Sequence, residues 1–279
     1  MKLVKTVREL RSVIDGAVRA GKSVGFVPTM GALHKGHLSL VECSLNDCGF
    51  TVVSIFVNPT QFNNPEDLKK YPRTLENDLK LLEPLGVDLV FNPEAEEMYP
   101  EPDTRNFNFG PLESVMEGAH RPGHFNGVAQ IVSKLFDAVQ PDKAYFGEKD
   151  FQQLTIIKAM VREYNYKVEI VPCAIMREDD GLAMSSRNVR LTAEQRNSAV
   201  RISQALFKSR QLARTTDIDS VKKWVVDYIN DDPELEVEYF EISDVNNLQP
   251  VASWHGHEQL IGCVAVFAGK IRLIDNIIY

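Results

Sequence analysis

The sequence contains few cysteines and no long hydrophobic run. Its 279 residues include four cysteines, Cys43, Cys48, Cys173 and Cys263, and none of them forms a Cys-x-x-Cys pair. This sparse set argues against a disulfide-stapled scaffold and predicts reduced thiols in a cytoplasmic protein. No stretch approaches the roughly 18 apolar residues of a membrane-spanning helix. Because the opening residues turn polar at once, we expect no signal peptide either.

An excess of positive charge is also absent. The chain carries 31 Lys and Arg residues against 39 Asp and Glu residues, which gives a net charge of −8. This balance argues against nucleic acid or an anionic membrane as the main partner, although it leaves room for a local basic pocket. The content of 44% hydrophobic and 25% charged residues is ordinary for a soluble globular protein, and the length predicts one large or two moderate domains.

Strand and helix patterns alternate through the first 175 residues. Apolar or β-branched runs at 24–27, 51–57, 88–91, 144–146 and 168–175 predict strands, and apolar residues spaced three and four apart predict helices between them. Unbroken apolar strands that alternate with helices are typical of a parallel sheet covered on both faces. We therefore predict an α/β fold with a doubly wound parallel (Rossmann-like) sheet, which binds its ligands beyond the carboxyl ends of the strands.

The pattern changes in two places. The segment 93–125 is irregular and rich in proline and glycine, with one short strand expected at Asn106–Phe109. Towards the C-terminus, a capping box at Thr192–Gln195 opens a long helix and a second helix follows. Runs of period two then predict a small antiparallel sheet with a hairpin. We therefore predict a smaller C-terminal α+β domain, with the first domain at residues 1–176 and the second at 177–279.

The motif with the most chemical content follows the first of these predicted strands. It reads VPTMGALHKGH (residues 27–37) and leads into a helical pattern, so it predicts a strand, a tight turn and a helix start. Backbone N–H groups at such a helix start bind phosphate oxygens, and His34 and His37 lie on one face because they are three residues apart. Imidazoles in this position stabilise the negative charge that builds on a departing pyrophosphate.

Two other interpretations of the histidine pair are open at this point. Two histidines three residues apart can ligate zinc, although no nearby cysteine or carboxylate completes a ligand set. Alternatively, both are ordinary solvated side chains of a loop, because matches of four residues are common by chance.

Further polar segments follow other predicted strands. Asn58 and Gln61 lie in the loop after the run 51–57, where neutral amides recognise hydroxyls and carboxylates. In the turn GEKD that precedes the next helix, Lys149 suits a phosphate, and Gln153 lies one helical turn further on. The alternatives are an Asn-Pro turn at the first segment and simple helix-capping charges at the second.

Two more segments suit an anion. HRPGHFNG (residues 120–127) combines a basic residue, two histidines and two glycines before a helix, and a structural turn explains it equally well. GLAMSSRN (residues 181–188) places two serines and Arg187 on a glycine-containing loop that can wrap a triphosphate. A flexible linker is the alternative for this loop, although linkers more often avoid such an apolar Leu-Ala-Met core.

Six segments, in order across residues 27–188, together resemble the pantothenate synthetases (pantoate–β-alanine ligases) of the nucleotidyltransferase superfamily. They read VPTMGALHKGHLSLV, FVNPTQF, YPRTLENDL, RPGHFNGV, YFGEKDFQQ and DGLAMSSRN. Because chance agreement of six ordered segments is negligible, the resemblance outweighs the alternatives for each single motif. It implies an AMP-forming enzyme that joins pantoate to β-alanine at the expense of ATP, through a pantoyl adenylate and with release of pyrophosphate.

The resemblance also implies roles for individual residues. His34 to His37 correspond to the HIGH-type motif of the superfamily, and Met184 to Arg187 correspond to its KMSKS-type loop. The catalytic residues that it implies are His37, His34, Lys149 and Arg187. The residues that it places around ATP are Met30, Gly31, Ala32, Leu33, His34, Lys35, Gly36, His37, Gly147, Glu148, Lys149, Asp150, Met176, Met184, Ser185, Ser186 and Arg187. The residues that it assigns to pantoate and β-alanine are Gln61, Gln153 and Asn58.

Cofactors and partners follow from the same resemblance. Mg²⁺ is expected to accompany ATP, with Asp78 as its ligand, and the partners are the small molecules ATP, pantoate and β-alanine. Neither nucleic acid nor a membrane is expected as a partner, and the chain is expected to form a homodimer. The domain 177–279 is expected to act as a lid that excludes water from the adenylate.

Two rival functions share part of this evidence. A related nucleotidyltransferase that makes a dinucleotide from ATP and a mononucleotide shares the His-x-Gly-His chemistry, but Gln61 and Gln153 favour a small hydroxy acid. A non-catalytic module that only binds ATP is disfavoured by the presence of His37, Lys149 and Arg187.

Overall fold

The structure is a computed structural model that describes residues 1–62 and 65–279. Its packing divides the chain into two compact units, each of which is discontinuous in sequence. The first unit contains residues 1–109, 121–148 and 153–174, and the second contains residues 110–120, 149–152 and 175–279. The domain division after residue 176 stays a prediction, and two short segments that precede it in sequence belong to the second unit.

Six parallel strands form the sheet of the first unit. They are β1 Lys2–Val4, β2 Val24–Thr29, β3 Phe50–Ile55, β4 Leu89–Phe91, β5 Lys143–Gly147 and β6 Glu169–Cys173. In space their order is β1-β4-β3-β2-β5-β6, and every neighbouring pair is parallel. The register of β2 on β3 runs from Val24 opposite Phe50 to Thr29 opposite Ile55. Because the strand order reverses between β2 and β5, a crevice for ligands opens at their carboxyl ends.

Helices connect the strands. They are α1 Val7–Arg19, α2 Lys35–Asp47, α3 Pro65–Lys70, α4 Leu75–Leu82, α5 Ala95–Met98, α6 Met116–His120, α7 His124–Val139, α8 Phe151–Glu163, α9 Ala193–Leu212 and α10 Ile218–Asn230. Within the two described ranges, no helix has both the length and the apolar character needed to cross a membrane.

Helices cover both faces of the six-stranded sheet. Side chains of α2 and α4 share one apolar cluster with Val27, Val53 and Val90 of the central strands. The preceding residue of β2, Phe26, points to the opposite face because successive side chains of a strand alternate, and its ring lies 6.4 Å from that of Phe136 in α7. The predicted doubly wound parallel sheet is therefore confirmed.

The second unit contains a small antiparallel sheet. Its strands are β7 Leu235–Asp244, β8 Leu260–Ala268 and β9 Ile271–Ile278, in the spatial order β7-β8-β9. Gly269 has a φ of +57° and turns the hairpin between β8 and β9. Helices α9 and α10 contribute Ile202, Leu206 and Val225 to one apolar core with the strands. This arrangement confirms the predicted α+β character of the C-terminal part.

Two strand predictions differ from the structure. Lys2–Val4 forms strand β1, which the sequence analysis missed because three residues with one buried side chain give no periodic pattern. The prediction of a strand at Asn106–Phe109 was wrong, because the structure assigns that segment to no strand. The alternation of Phe107 and Phe109 with polar residues resembles a strand pattern, but it reflects the burial of the two rings. These rings stack with their centroids 6.3 Å apart. The N–H of Phe107 donates to Oδ1 of Asn126 instead of to a neighbouring strand.

Candidate active site

A buried carboxylate binds the turn that follows β2. Asp78 of α4 is 1% exposed, and it accepts the N–H of Ala32 on Oδ2 at 3.1 Å and the N–H of Leu33 on Oδ1 at 2.8 Å. The hydroxyl of Thr74 donates to the same Oδ1 at 3.2 Å. Gly31 and Ala32 have φ angles of +81° and +51°. Since alanine disfavours this region, the carboxylate holds the turn in a conformation that the chain alone would leave.

The main chain fixes both histidines of the motif at the start of α2. Nδ1 of His34 accepts the N–H of Gly36 at 3.2 Å, and Nδ1 of His37 accepts the N–H of His34 at 3.4 Å. The two rings lie 4.1 Å apart between centroids. Because each Nδ1 is an acceptor, these hydrogen bonds assign the proton of the neutral rings to Nε2. Both histidines therefore carry an Nε2–H donor at a helix N-terminus, where phosphate oxygens are favoured.

Gln61 lies after β3 and is oriented by buried polar groups. Its Nε2 donates to Sδ of Met30 at 3.0 Å, and its Oε1 accepts Nδ2 of Asn58 at 3.2 Å. Asn58 is 1% exposed, donates also to the carbonyl of Gly127 and accepts the hydroxyl of Tyr99 at 2.8 Å. The structure thus brings Met30, Asn58 and Gln61 together, with the amide of Asn58 engaged on both sides.

The start of α7 shapes the same loop. Nδ1 of His124 lies 2.8 Å from the carbonyl oxygen of Gln61, and Nη2 of Arg121 donates to that oxygen at 3.4 Å. A Cβ atom at Gly127 would overlap the main chain of Thr60, so only glycine permits this close approach. The segment RPGHFNG, which the sequence offered as an anion site, therefore also supports the loop that carries Gln61.

A cavity of about 310 Å³ adjoins this turn within the first unit. Met30 and Asp78 line it, together with the polar residues Arg73, Asn92 and Glu94 among others. This volume is at the lower end of the range for ligand pockets. Open space of ligand size therefore adjoins the turn where the carboxylate of Asp78 lies.

The turn after β5 carries further predicted ATP residues. Gly147 ends β5, and Glu148–Asp150 forms one turn of 3₁₀ helix before α8, whose first turn contains Gln153. Strands β2 and β5 are hydrogen-bonded neighbours. Because they are parallel, Gly147 at the end of β5 and Met30 just after β2 lie at the same edge of the sheet.

In the second unit, the loop 184–187 directly follows a tight hairpin in which Arg177 pairs with Ala183. The N–H of Met184 donates to the carbonyl of Met176 at 3.0 Å, and the N–H of Arg187 donates to Oγ of Ser185 at 3.2 Å. The structure therefore brings together Met176 and Met184, two of the residues predicted to line ATP.

Charged side chains fix the base of this hairpin. Arg177 donates to both carboxylate oxygens of the buried Asp275, at 2.7 and 2.9 Å. Arg196 of α9 bridges Glu178 at 3.0 Å and Asp180 at 2.7 Å. The hydrogen bond from the Arg196 guanidinium lowers the pKa of the Asp180 carboxyl. Ion pairs are therefore the main side-chain anchors of the hairpin.

Lys149 is tied to the strand that anchors the hairpin. Its carbonyl accepts Nδ2 of Asn276 at 3.0 Å, and Asn276 follows Asp275 in β9. Consecutive residues of one strand thus hold the main chain of Lys149 and the side chain of Arg177.

Asp78 fits poorly as the ligand expected for Mg²⁺. Its Oδ1 accepts two donors of the protein and its Oδ2 accepts one. Across residues 1–62 and 65–279, no group of three or more His, Cys, Asp or Glu side chains could hold a metal ion. Mg²⁺ takes about six oxygen ligands and commonly uses substrate phosphates for several of them.

Comparison with protein families decides the assignment. A family model described as pantoate-beta-alanine ligase matches residues 2–278. The chain belongs to the pantoate–β-alanine ligase family. It is accordingly an enzyme that joins pantoate to β-alanine.

Relatives of this ligase align with it over its whole length. The pantothenate synthetase of Bacteroides thetaiotaomicron is 59% identical over 279 residues, which cover 100% of this chain and 99% of that protein. The pantothenate synthetase of Fervidobacterium nodosum is 48% identical over 280 residues, with the same coverage of each chain.

Two crystal structures share the fold of this ligase. The pantothenate synthetase of Thermus thermophilus matches with a TM-score of 0.93 and 45% identity, over 99% of each chain. The pantoate-beta-alanine ligase of Francisella tularensis, solved in complex with beta-gamma ATP and beta-alanine, matches with a TM-score of 0.84 and 34% identity over 99% of this chain and 97% of that one.

Proposed function

We propose that this ligase works in two chemical steps through a pantoyl adenylate. In the first step, a carboxylate oxygen of pantoate attacks the α-phosphorus of ATP, and the bond from that phosphorus to the bridging oxygen of pyrophosphate breaks. In the second step, the amine of β-alanine attacks the acyl carbon, AMP departs, and the new amide nitrogen loses its proton. Adenylation is needed because a free carboxylate is a poor acyl donor, whereas AMP is a good leaving group.

The observation that carries this proposal is the fixed pair of histidines at the start of α2. Hydrogen bonds to Nδ1 of His34 and of His37 leave the ring protons on Nε2, next to the N-terminus of a helix. Donors fixed in advance at this position stabilise the charge that grows on departing pyrophosphate. Attack by a carboxylate releases no proton, so His37 acts as a hydrogen-bond donor and not as an acid or base.

The remaining predicted site residues take supporting roles in the proposal. Lys149 and Arg187 supply the positive charge that a triphosphate needs. Gln61 and Gln153 bind pantoate through their amides, with Gln61 also near β-alanine. Asn58 acts behind Gln61, because both sides of its amide are engaged within the protein. The domain 177–279 closes as a lid that keeps water from the adenylate.

The proposal includes Mg²⁺ bound to the phosphates of ATP, a homodimer and a cytoplasmic location. The first two are what membership of the family leads us to expect. The third is supported by the four cysteines, all of which are free thiols. Light scattering during gel filtration checks the homodimer, for which we expect twice the chain mass of 31.5 kDa.

Release of pyrophosphate tests the function directly. The purified chain is mixed with ATP, Mg²⁺ and D-pantoate, first without and then with β-alanine. We expect a burst of about one pyrophosphate per site without β-alanine, and sustained turnover when it is added. A mononucleotide in place of pantoate is the control acceptor. Absence of pyrophosphate with pantoate under both conditions would overturn the proposal, and sustained release with the mononucleotide would favour the rival transferase.

A further inference from the structure

We propose that Asp78 is a positioning residue that holds the main chain of the ATP-binding turn, and that it is not a ligand of Mg²⁺. The inference deepens the proposed function and rests on it for the identity of the nucleotide. The role follows from three features of the described residues, which are the donors around the carboxylate, the backbone of the turn and the path from the turn to the histidines.

The donors around the carboxylate all come from the protein. Oδ1 receives the N–H of Leu33 and the hydroxyl of Thr74, and Oδ2 receives the N–H of Ala32, with all three distances between 2.8 and 3.2 Å. A carboxylate offers about four lone-pair positions, so three of them are in use. The side chain is 1% exposed. The remaining position is on Oδ2, so the carboxylate offers a metal ion at most one bond while this set is intact.

The backbone of the turn needs such a partner. Gly31 and Ala32 both have positive φ, and alanine adopts this region at a cost. A Cβ atom built on Gly31 would lie 3.0 Å from Oδ2 of Asp78, so the carboxylate is in direct contact with the turn. With the carboxylate removed, the two N–H groups that it accepts lose their common acceptor, and Ala32 relaxes toward negative φ.

The turn leads directly into the histidine pair. Leu33, whose N–H is bound by Asp78, precedes His34, whose N–H donates to His37. A shift of the turn therefore moves the first turn of α2 and both rings. Asp78 acts on the nucleotide through this path and needs no contact with it.

Affinity for ATP with and without Mg²⁺ separates the two roles of Asp78. We compare wild type with Asp78→Asn by calorimetry, using ATP in EDTA and ATP in excess MgCl₂. The side-chain amide of asparagine has one acceptor oxygen and one N–H₂ donor. The N–H₂ group therefore faces a main-chain N–H of Ala32 or Leu33, and two donors cannot form a hydrogen bond. We expect affinity to fall roughly 10- to 100-fold, by the same factor in both conditions, because two hydrogen bonds to a charged acceptor are disturbed.

A metal ligand would behave differently. Affinity would then fall only in MgCl₂, and in EDTA it would rise because one negative charge near the phosphates is lost. That pattern would overturn the proposal, and so would unchanged affinity in both conditions. Since this comparison measures binding alone, it decides the role of Asp78 even if the ligase reaction itself fails its own test.

Two variants control the interpretation. Glu76→Gln removes the same charge from an exposed position in the same helical turn, and we expect ATP affinity to stay at the wild-type level. Thr74→Val removes only the hydroxyl donor to Oδ1 and keeps the carboxylate, so it tests the proposal even if Asp78→Asn does not fold. We expect Thr74→Val to weaken ATP about two- to five-fold, equally with and without Mg²⁺.

Kinetics supply a readout that lost stability alone would not change. In folded Asp78→Asn, we expect the single-turnover rate of adenylate formation to fall about 100-fold at saturating ATP, because misplacement by about 1 Å has effects of this size. The affinity for pantoate should stay within about two-fold. A normal rate at saturating ATP would show that the carboxylate only stabilises the fold and would overturn the positioning role.

Discussion

The two loops that carry predicted ATP-binding residues are anchored in different ways. In the first unit, the turn at 30–34 is held by hydrogen bonds from main-chain N–H groups to the buried carboxylate of Asp78. In the second unit, the hairpin at 176–187 is held mainly by side-chain ion pairs of Arg177 and Arg196.

The difference lies in what can disturb each anchor. Asp78 is 1% exposed, whereas the side chains of Arg196, Glu178 and Asp180 are 28%, 34% and 42% exposed. Salt screens exposed charges and hardly affects a buried hydrogen-bonded group. The first loop is therefore anchored by a buried group alone, whereas the second combines the buried pair Arg177–Asp275 with the Arg196 pairs, which salt can weaken. The following predictions test this contrast, from the largest expected effect to the smallest.

The largest effect on the reaction rate should follow a change at the start of α2, into which the turn at 30–34 leads. His37→Ala removes a donor at the start of α2, and we expect single-turnover adenylate formation to slow about 100- to 1000-fold. The affinity for pantoate should change less than about three-fold, as measured by calorimetry. His37→Gln restores an N–H donor and should recover part of the rate. Equal losses of rate and pantoate affinity would contradict the assignment of His37 to the phosphates.

The buried ion pair at the base of the hairpin should dominate the stability of the second unit. Asp275→Asn leaves Arg177 without its carboxylate partner, and we expect the free energy of unfolding to fall by about 3 kcal/mol. Urea denaturation measures this change. The exposed Glu258 of the same unit gives the control Glu258→Gln, which should change stability by less than about 0.5 kcal/mol. Similar effects of both variants would refute the special role of the pair.

The exposed ion pairs should give a smaller effect that depends on salt. Arg196→Gln removes the bridge to Glu178 and Asp180, and we expect kcat/KM for ATP to fall about three- to ten-fold at low salt. The difference in kcat/KM between wild type and Arg196→Gln should become smaller at about 1 M salt, because salt screens the charges. Arg210→Gln, an exposed change in the same helix, should have no such effect. A gap that is independent of salt would contradict the contrast between the loops.

The smallest effect should appear in acid. The hydrogen bond from Arg196 lowers the pKa of Asp180 below its ordinary value of 3.8, so this pair adds stability above about pH 4. The added stability is lost as the pH falls below 3.8 and the carboxyl takes up a proton. We expect the Tm of Asp180→Asn to fall less than that of wild type between about pH 5 and pH 3. If the Tm of wild type and of Asp180→Asn falls equally with pH, the pair of Arg196 and Asp180 does not contribute to stability.

Local signals explain the part of the fold that the sequence predicted. The N–H of Gln195 donates to Oγ1 of Thr192 at 3.2 Å, so the capping box lies where the spacing placed it. The β-branched run at 51–57 became strand β3, Phe50–Ile55. Because such patterns depend only on residues close together in the chain, they can be recognised from a single sequence.

Contacts between distant residues explain what could not be predicted. Asp78 binds N–H groups 45 and 46 residues earlier in the chain, and the Tyr99 hydroxyl reaches Asn58 across 41 residues. No spacing rule marks a side chain whose partner is so far away. The family resemblance supplied candidate residues around the substrates, but the support behind Gln61 became visible only in the folded chain.

The second unit recruits residues 110–120 from the middle of the chain, which has a consequence during protein synthesis. Met116 of that segment packs in an apolar cluster with Leu248, Ile261 and Cys263, which the ribosome adds more than a hundred residues later. At about 5–20 residues per second, the delay amounts to roughly 7–30 s. Throughout this interval, Met116 and its apolar neighbours Leu112 and Val115 stay in the nascent chain without the partners against which they finally pack.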